Sequence, residues 1–349
     1  MIICYLLEST ELSGGVRVVF DHARLLTKKG HKVIIRAKYG NHQWYHHAID
    51  IDYVDDLASP FQANTSVPDV VIATFWTTVQ AATQLNCSNV FHFCQGYEAD
   101  FPEYVSQRKQ IEQAYQLPIP KLTIGNWLTT RLQQIYGSSN FTVHTIGQIV
   151  DTTLFTPPHL SFNRILRRLL RRPVKILLIG LFESSVKGIP DALHAIKILR
   201  QQNVQLYVTR VSSQTLSEKE KNITQIDCYL SMLSPRAVAN LYRTHDLMLA
   251  PSLAQEGFGL PFVEALASGL PCVATAIPSH LSFDHTHDYA VFVPPSNSGA
   301  MAQAISTLLG SPHKQACLRK RGPQLMQKLF SSNAAVTQLE QVCLESLGH

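Results

Sequence analysis

Two glutamates, Glu256 and Glu264, stand with seven residues between them in the stretch Pro251–Pro271, which also carries Gly257, Gly259, Pro261 and Gly269. Leu247–Ala250 reads as a buried strand, and the loop after it leads into a helix over Pro261–Ser268. Pro261 suits the first helical position, where a missing N–H costs nothing. The loop's free N–H groups and the positive end of that helix then face any ligand above the strand, and they favour a phosphate or another anion. Glu264, placed in the first turn, can accept two hydrogen bonds from a vicinal diol such as a ribose. Glu256 can do the same for the hydroxyls of a sugar. Taken singly, Glu264 reads as a helix-dipole glutamate and Glu256 as a solvated loop acid. Taken with the glycines and the proline, the pair reads as a ligand site.

The elements that must position this stretch repeat along the chain. Ile2–Leu7 is an apolar strand, Glu8–Gly15 a polar loop ending in Gly14-Gly15, and Val16–Lys28 has helical spacing. Gly30 stops that helix, and His31–Arg36 supplies the next strand. Further strands are predicted at Val70–Thr74, Asn89–Cys94 and Leu122–Gly125. The same grammar restarts with a strand at Val174–Gly180, a loop through Lys187-Gly188, a helix over Pro190–Arg200 and a strand at Gln205–Thr209. Strands at Gln225–Leu230 and Pro271–Ala274 and a helix at Pro235–Tyr242 complete it. Strand–helix alternation implies parallel sheets, so the expected class is α/β with two doubly wound, Rossmann-like domains and a cleft between them. Prolines 157, 158 and 173 mark the joint. The expected division is residues 1–158, a basic linker at 159–173, a second domain at 174–328 and a terminal helical segment at 329–349.

With those residues in place, the chain resembles retaining glycosyltransferases of the GT4 type, which have the GT-B fold and an E-x7-E motif. Glu256 and Glu264 match that motif, and Gly257-Phe258-Gly259-Leu260-Pro261 and Ala265…Gly269…Pro271 match its surroundings. Gly147…Asp151…Phe155-Thr156-Pro157, Lys187-Gly188 and Gly14-Gly15 extend the likeness over nearly the whole length, as does the final helix Asn333–Leu347. The resemblance implies transfer of a sugar from a nucleotide diphosphate sugar, which is a substrate, with no cofactor and no metal. It implies that Glu264 holds the ribose and Glu256 the transferred sugar. Lys187 and the backbone N–H groups of Phe258, Gly259 and Leu260 would meet the diphosphate, while Gly14 and Gly15 approach the donor from the N-terminal domain. In that fold the final helix crosses back to the N-terminal domain, the acceptor side.

Two departures stand out. Leu181 occupies the position where the family often has a phosphate-binding arginine. Arg210, at the end of the next strand, reads either as its substitute at the donor or as a surface arginine. In the N-terminal half, many relatives place a histidine after the strand that here ends in Phe93-Cys94, whereas this chain has Gln95-Gly96-Tyr97-Glu98. That segment resembles the Q-D-Y-E of a polysaccharide-assembly branch. Gln95 and Glu98 are therefore candidates for acceptor or sugar contacts, and His92 reads as a packed strand residue.

Composition narrows the remaining classes. A hydrophobic fraction of 45% with 16% charged residues is globular, and no run approaches the roughly 18 apolar residues of a membrane-spanning helix. The N-terminal apolar run is too short for a signal peptide. Seven scattered cysteines without a C-x-x-C pair point to reduced thiols and a cytoplasmic protein. A net charge of +5 does not imply nucleic acid as a partner. The segment 164–172, rich in arginine and leucine, reads as a solvated linker helix or as a peripheral contact with anionic lipid at the inner face of a membrane. A glycan or lipid-linked glycan is the acceptor these features suggest. Asp50-Ile51-Asp52 is a weak D-x-D metal pattern, and His42, His46, His47, His280, His285 and His287 read as solvated loop histidines. No G-x-G-x-x-G fingerprint supports a nicotinamide enzyme. A silent scaffold of the same fold and an enzyme using a sugar phosphate remain open alternatives.

Overall fold

The structure is a computed structural model that describes residues 1–61, 67–137, 141–158, 172–330 and 334–348. The chain forms two compact units, Met1–Ile149 with Ser332–His349, and Val150–Ser331.

Unit 1 is built on a parallel sheet of seven strands in the order β3-β2-β1-β4-β5-β6-β7. They are β1 Ile2–Ser9, β2 Lys32–Tyr39, β3 Asp50–Tyr53, β4 Val70–Ala73, β5 Val90–Cys94, β6 Lys121–Thr123 and β7 Val143–Thr145. The central strands are near-continuous apolar runs because helices cover both faces of a parallel sheet. Cys4, Leu6, Val71 and Ala73 of the sheet pack on Val79 and Ala82 of the helix Trp76–Gln84. The helix Gly14–Lys28 starts at Ser13, whose hydroxyl accepts from the Val16 N–H at 3.2 Å. The helix Ala334–Ser346 belongs to this unit, where Glu340 bonds His31 at 2.7 Å and pairs with Lys29.

Unit 2 carries a parallel sheet of six strands in the order β10-β9-β8-β11-β12-β13. They are β8 Val174–Ile179, β9 Leu206–Ser212, β10 Cys228–Ser231, β11 Leu247–Ala250, β12 Cys272–Thr275 and β13 Val291–Val293. Ile176, Leu178, Leu249 and Val273 meet Leu193 and Ile196 of the helix Ile189–Gln201 in its core. The doubly wound class expected from the strand–helix alternation is what both units show.

Strand order reverses between β1 and β4 in unit 1 and between β8 and β11 in unit 2. In open α/β sheets a ligand crevice lies at the carboxyl ends of the strands at such a reversal. Each crevice is therefore lined by loops identifiable in the chain.

Two differences from the sequence reading concern elements. The three-residue strands β7 and β13 were not anticipated, because runs that short carry no periodic signal. The helix predicted at Pro261 begins one residue earlier, at Leu260, which puts Glu264 in its second turn. Residues 159–171, including most of the basic linker segment 164–172, lie outside the described residues. Among the described residues no helix is long and apolar enough to cross a membrane.

Candidate active site

In unit 2 the loop after β8 and the loop after β11 meet at the reversal of strand order. Gly188 makes the meeting possible. It sits at φ 59°, and a Cβ there would lie 2.1 Å from the Pro251 carbonyl oxygen, so a side chain is excluded on both counts. The Leu253 N–H bonds the Val186 carbonyl at 2.7 Å and closes the junction.

This packing delivers Lys187 to Glu256. The ammonium donates to both carboxylate oxygens, at 3.0 and 2.7 Å, and the Ser252 hydroxyl donates to one of them at 2.9 Å. Glu256 is 6% exposed, and burial alone would raise its pKa. The Lys187 charge and its hydrogen bonds outweigh burial and hold the carboxyl below its ordinary value. The lysine side chain remains 34% exposed, and its ammonium has three donors for two carboxylate oxygens. A third N–H is left for an anion.

Beside this pair the helix Leu260–Ala267 opens on Gly259, which adopts φ 75° and provides no capping side chain. Pro261 has no N–H and the Phe262 and Val263 N–H groups bond the Gly259 carbonyl, so the donors this turn can offer an anion are those of Phe258, Gly259 and Leu260. His280 lies directly behind the turn, and a Cβ on Gly259 would come 2.8 Å from its Nε2. The histidine is fully buried, its Nδ1–H donates to the Thr275 carbonyl at 3.1 Å, and its ring packs on Phe262 at 4.6 Å. Burial lowers its pKa to about 4 against the pull of Glu256, so Nε2 presents a lone pair at neutral pH. The reading of His280 as a solvated loop residue is thereby corrected, whereas His285 and His287 are exposed.

Glu264, in the second turn of the helix and eight residues after Glu256, is 3% exposed. Its Oε2 accepts from the Tyr242 hydroxyl at 3.0 Å, and Tyr242 packs edge-on against Phe155 at 5.9 Å. Phe155 follows Asp151 in the segment quoted for the family resemblance, so that segment supports the glutamate from behind. Phe258, Gly259 and Leu260 line the same turn.

Arg210 does not join them. It is fully buried in β9, where its guanidinium pairs with the equally buried Glu220 and donates to the Val211 carbonyl. The expectation that Arg210 replaces the missing arginine near Leu181 is corrected, since its side chain is enclosed in the core.

In unit 1 the corresponding loops follow β1, β4 and β5. Gly14 and Gly15 open the first helix, and Gln95 Nε2 donates to the Gly15 carbonyl at 3.2 Å. Glu98 is buried rather than presented to an acceptor, and burial raises its pKa to about 7 against the hydrogen bond from Tyr115. The Tyr115 hydroxyl lies 2.9 Å from the Gly96 carbonyl oxygen and 2.6 Å from Glu98 Oε2, one proton for two acceptors. A protonated Glu98 resolves that count by donating to the phenol oxygen itself. His92 is buried in β5 against Tyr115 at 4.6 Å. Asp52, on the edge strand β3, is held by the buried Arg36 at 2.7 Å. Among the described residues no cluster of three or more His, Cys, Asp or Glu is arranged to hold a metal ion.

Residues 173–311, which contain Lys187, Glu256 and Glu264, match the family described as glycosyl transferases group 1. That stretch is a glycosyl transferases group 1 domain. The MMP alpha-(1->4)-mannosyltransferase of Mycolicibacterium hassiacum is 30% identical over 243 residues, 67% of this chain and 55% of that protein. The phosphatidyl-myo-inositol mannosyltransferase of Mycobacterium leprae is 26% identical over 38% of this chain and 37% of its own length. The chain thus spans about half or less of the curated relatives it matches. Among solved structures, the sucrose-phosphate synthase of Thermosynechococcus elongatus superposes with a TM-score of 0.78 at 17% identity, over 99% of both chains. Anabaena HepE in complex with UDP-glucose gives 0.76 at 17% identity, over 100% of this chain and 99% of that one. The fold is GT-B, with two Rossmann-like domains, and the family resemblance read from the sequence is borne out.

Within the glycosyl transferases group 1 domain, the sequence reading missed Ser252, Tyr242 and His280. Ser252 stands four residues before Glu256, inside the stretch already singled out, and its proximity was the available signal. Tyr242 and His280 reach the site from other elements, and nothing in their local sequence announces it.

Proposed function

We propose that the chain is a glycosyltransferase that moves a sugar, with retention and without a metal, from a nucleotide diphosphate sugar to an acceptor hydroxyl. The observation that carries this reading is the Lys187–Glu256 pair beside the uncapped start of the helix Leu260–Ala267, at the crevice of unit 2. A fixed ammonium and a row of N–H groups stabilise the negative charge that develops on a departing diphosphate, and they are oriented before the reaction begins. With Arg210 enclosed, Lys187 and the turn are the groups described in unit 2 that meet that charge. Glu256, locked between Lys187 and Ser252, is a hydroxyl acceptor for the transferred sugar and not a nucleophile. Glu264, oriented by Tyr242, takes the ribose diol. The acceptor oxygen attacks the anomeric carbon on the face the diphosphate leaves, and its proton passes to the departing phosphate oxygen. The carbon–phosphate oxygen bond breaks as the new glycosidic bond forms.

The relatives support this choice: two are named as mannosyltransferases, and HepE is described in complex with UDP and with UDP-glucose. The test is calorimetric titration with UDP, GDP, ADP, dTDP and CMP in excess chelator. One nucleotide diphosphate is expected to bind, and Glu264→Ala is expected to weaken it about tenfold, the loss of a charged hydrogen-bond acceptor. Failure of all five to bind would overturn the nucleotide-sugar reading.

A further inference from the structure

The crevice of unit 1 has an unusual lining. Thr74, just past β4, donates from its hydroxyl to the Leu6 carbonyl at 2.7 Å, and the Thr78 hydroxyl accepts from the Thr74 and Phe75 N–H groups. The turn is therefore pinned, and it sets Phe75 and Trp76 at the carboxyl end of the sheet with their rings 5.9 Å apart. Tyr104 lies 6.0 Å from Phe75, and Phe101 stacks on Tyr104 at 6.1 Å and 21°. Phe101 in turn covers Gly96, where a Cβ would meet its ring at 3.2 Å. All four residues are half-buried. At the same turn Trp76 Nε1 and Thr77 Oγ1 are shielded from solvent and meet no hydrogen-bond partner among the described residues.

We propose that Phe75, Trp76, Phe101 and Tyr104 form a shelf for a neutral pyranose unit, so that the acceptor of the reaction proposed above is a pre-existing saccharide. The inference rests on that reading and adds the acceptor's chemical class. Pyranose rings present apolar C–H faces to aromatic faces and hydroxyl oxygens at their rims. Trp76 Nε1 and Thr77 Oγ1 are closed to solvent, so the ring surfaces carry the contact. Charge points the same way. The acids beside the shelf are Asp100, held by Arg131 at 2.9 Å, Glu103, on the same turn as Tyr104, and Glu98, which burial pushes toward its neutral form. After burial, Glu98 and Glu103 are the groups that raise the Tyr104 pKa, so this side of the shelf disfavours an anionic acceptor. Arg108, the nearest basic residue along the chain, donates to the Ala99 carbonyl at 3.0 Å. An anionic lipid surface is disfavoured on the same grounds, although Val105 is 67% exposed nearby.

The test uses the full chain against an array of neutral manno-, gluco- and galacto-oligosaccharides of two to five units, with saturation-transfer NMR on any that bind. At least one should bind the wild type. Tyr104→Ala, on an exposed turn, should weaken it three- to tenfold, and Phe75→Leu should do the same if Tyr104→Ala perturbs folding by circular dichroism. Nucleotide binding by calorimetry should be unchanged in both variants. Three results would overturn the proposal: no oligosaccharide binds, binding is equal in wild type and variants, or the variants instead lose co-sedimentation with phosphatidylglycerol vesicles. Loss of nucleotide binding in the wild type with saccharide binding intact would strike the donor reading and leave the shelf standing.

Discussion

At the β8/β11 crevice an ammonium and a carboxylate lie 2.7 Å apart beside an uncapped helix start. At the β1/β4 crevice the corresponding loops hold two glycines, a glutamine amide and four aromatic rings. The backbone frames are alike: parallel strands, a reversal of order, and a loop running into a helix. The difference lies in the loop side chains, and it sorts the two crevices by the charge of what each can hold. A topology supplies a place for a ligand, and in the two proposals above it is the loop residues that select an anion at one crevice and a neutral polyol at the other.

The comparison can be broken or sharpened by substitution. The largest effect should come from Arg210→Ala, which leaves Glu220 buried without its partner and should cost about 3–5 kcal/mol by chemical denaturation. Nucleotide affinity of the folded fraction should not change, and a change would return Arg210 to the donor side. Next, Lys187→Ala should lower kcat about 10²–10³-fold with a small change in acceptor KM, as expected for loss of a group that stabilises leaving-group charge. A variant with wild-type kcat would remove the charged crevice from catalysis.

Glu98 tests the neutral crevice through pH. Its folded pKa is about 7, and the ordinary value is 4.5. Between those values the folded protein holds a proton that the unfolded chain has released, so stability falls as pH rises through that window, by about 2–4 kcal/mol. Buried His22 and His280, with pKa values lowered by burial to about 3 and about 4, act in the opposite sense. They cost stability as pH falls below 6.5. The difference between wild type and Glu98→Gln, measured by denaturation at pH 5 and pH 8, isolates the glutamate. An unchanged difference would mean that Glu98 is ionised in the folded protein. The smallest effect is expected for Gln95→Ala, about a three-fold rise in acceptor KM from loss of one hydrogen bond between the two loops, read in a transfer assay.

Sequence legibility followed the same division. The apolar strands and the Lys187-Gly188 and Glu256–Glu264 stretches are local patterns, and local patterns show in a linear reading. Arg210 is different: an arginine in a strand looks the same whether its guanidinium meets solvent or a glutamate on a later helical turn. His280 looked like one of three loop histidines because the residues that enclose it, Gly259 and Phe262, are about twenty positions earlier. Glu98 followed a tyrosine and preceded an alanine, and only Tyr115, seventeen residues on, reveals its burial. The four-ring shelf draws on two separate loops, so no single window contains it.

The helix Ala334–Ser346 joins the unit that begins at Met1, while the other unit is one unbroken stretch, Val150–Ser331. Order of synthesis therefore differs from order of completion. A nascent chain can finish the unit Val150–Ser331 while the earlier-made unit still lacks its last helix. Until Glu340 has emerged to meet His31 and Lys29, the helix Gly14–Lys28 and the strand after it carry an uncovered face. Unit 1 is thus completed after unit 2, and it waits longer in a state open to aggregation or chaperone capture.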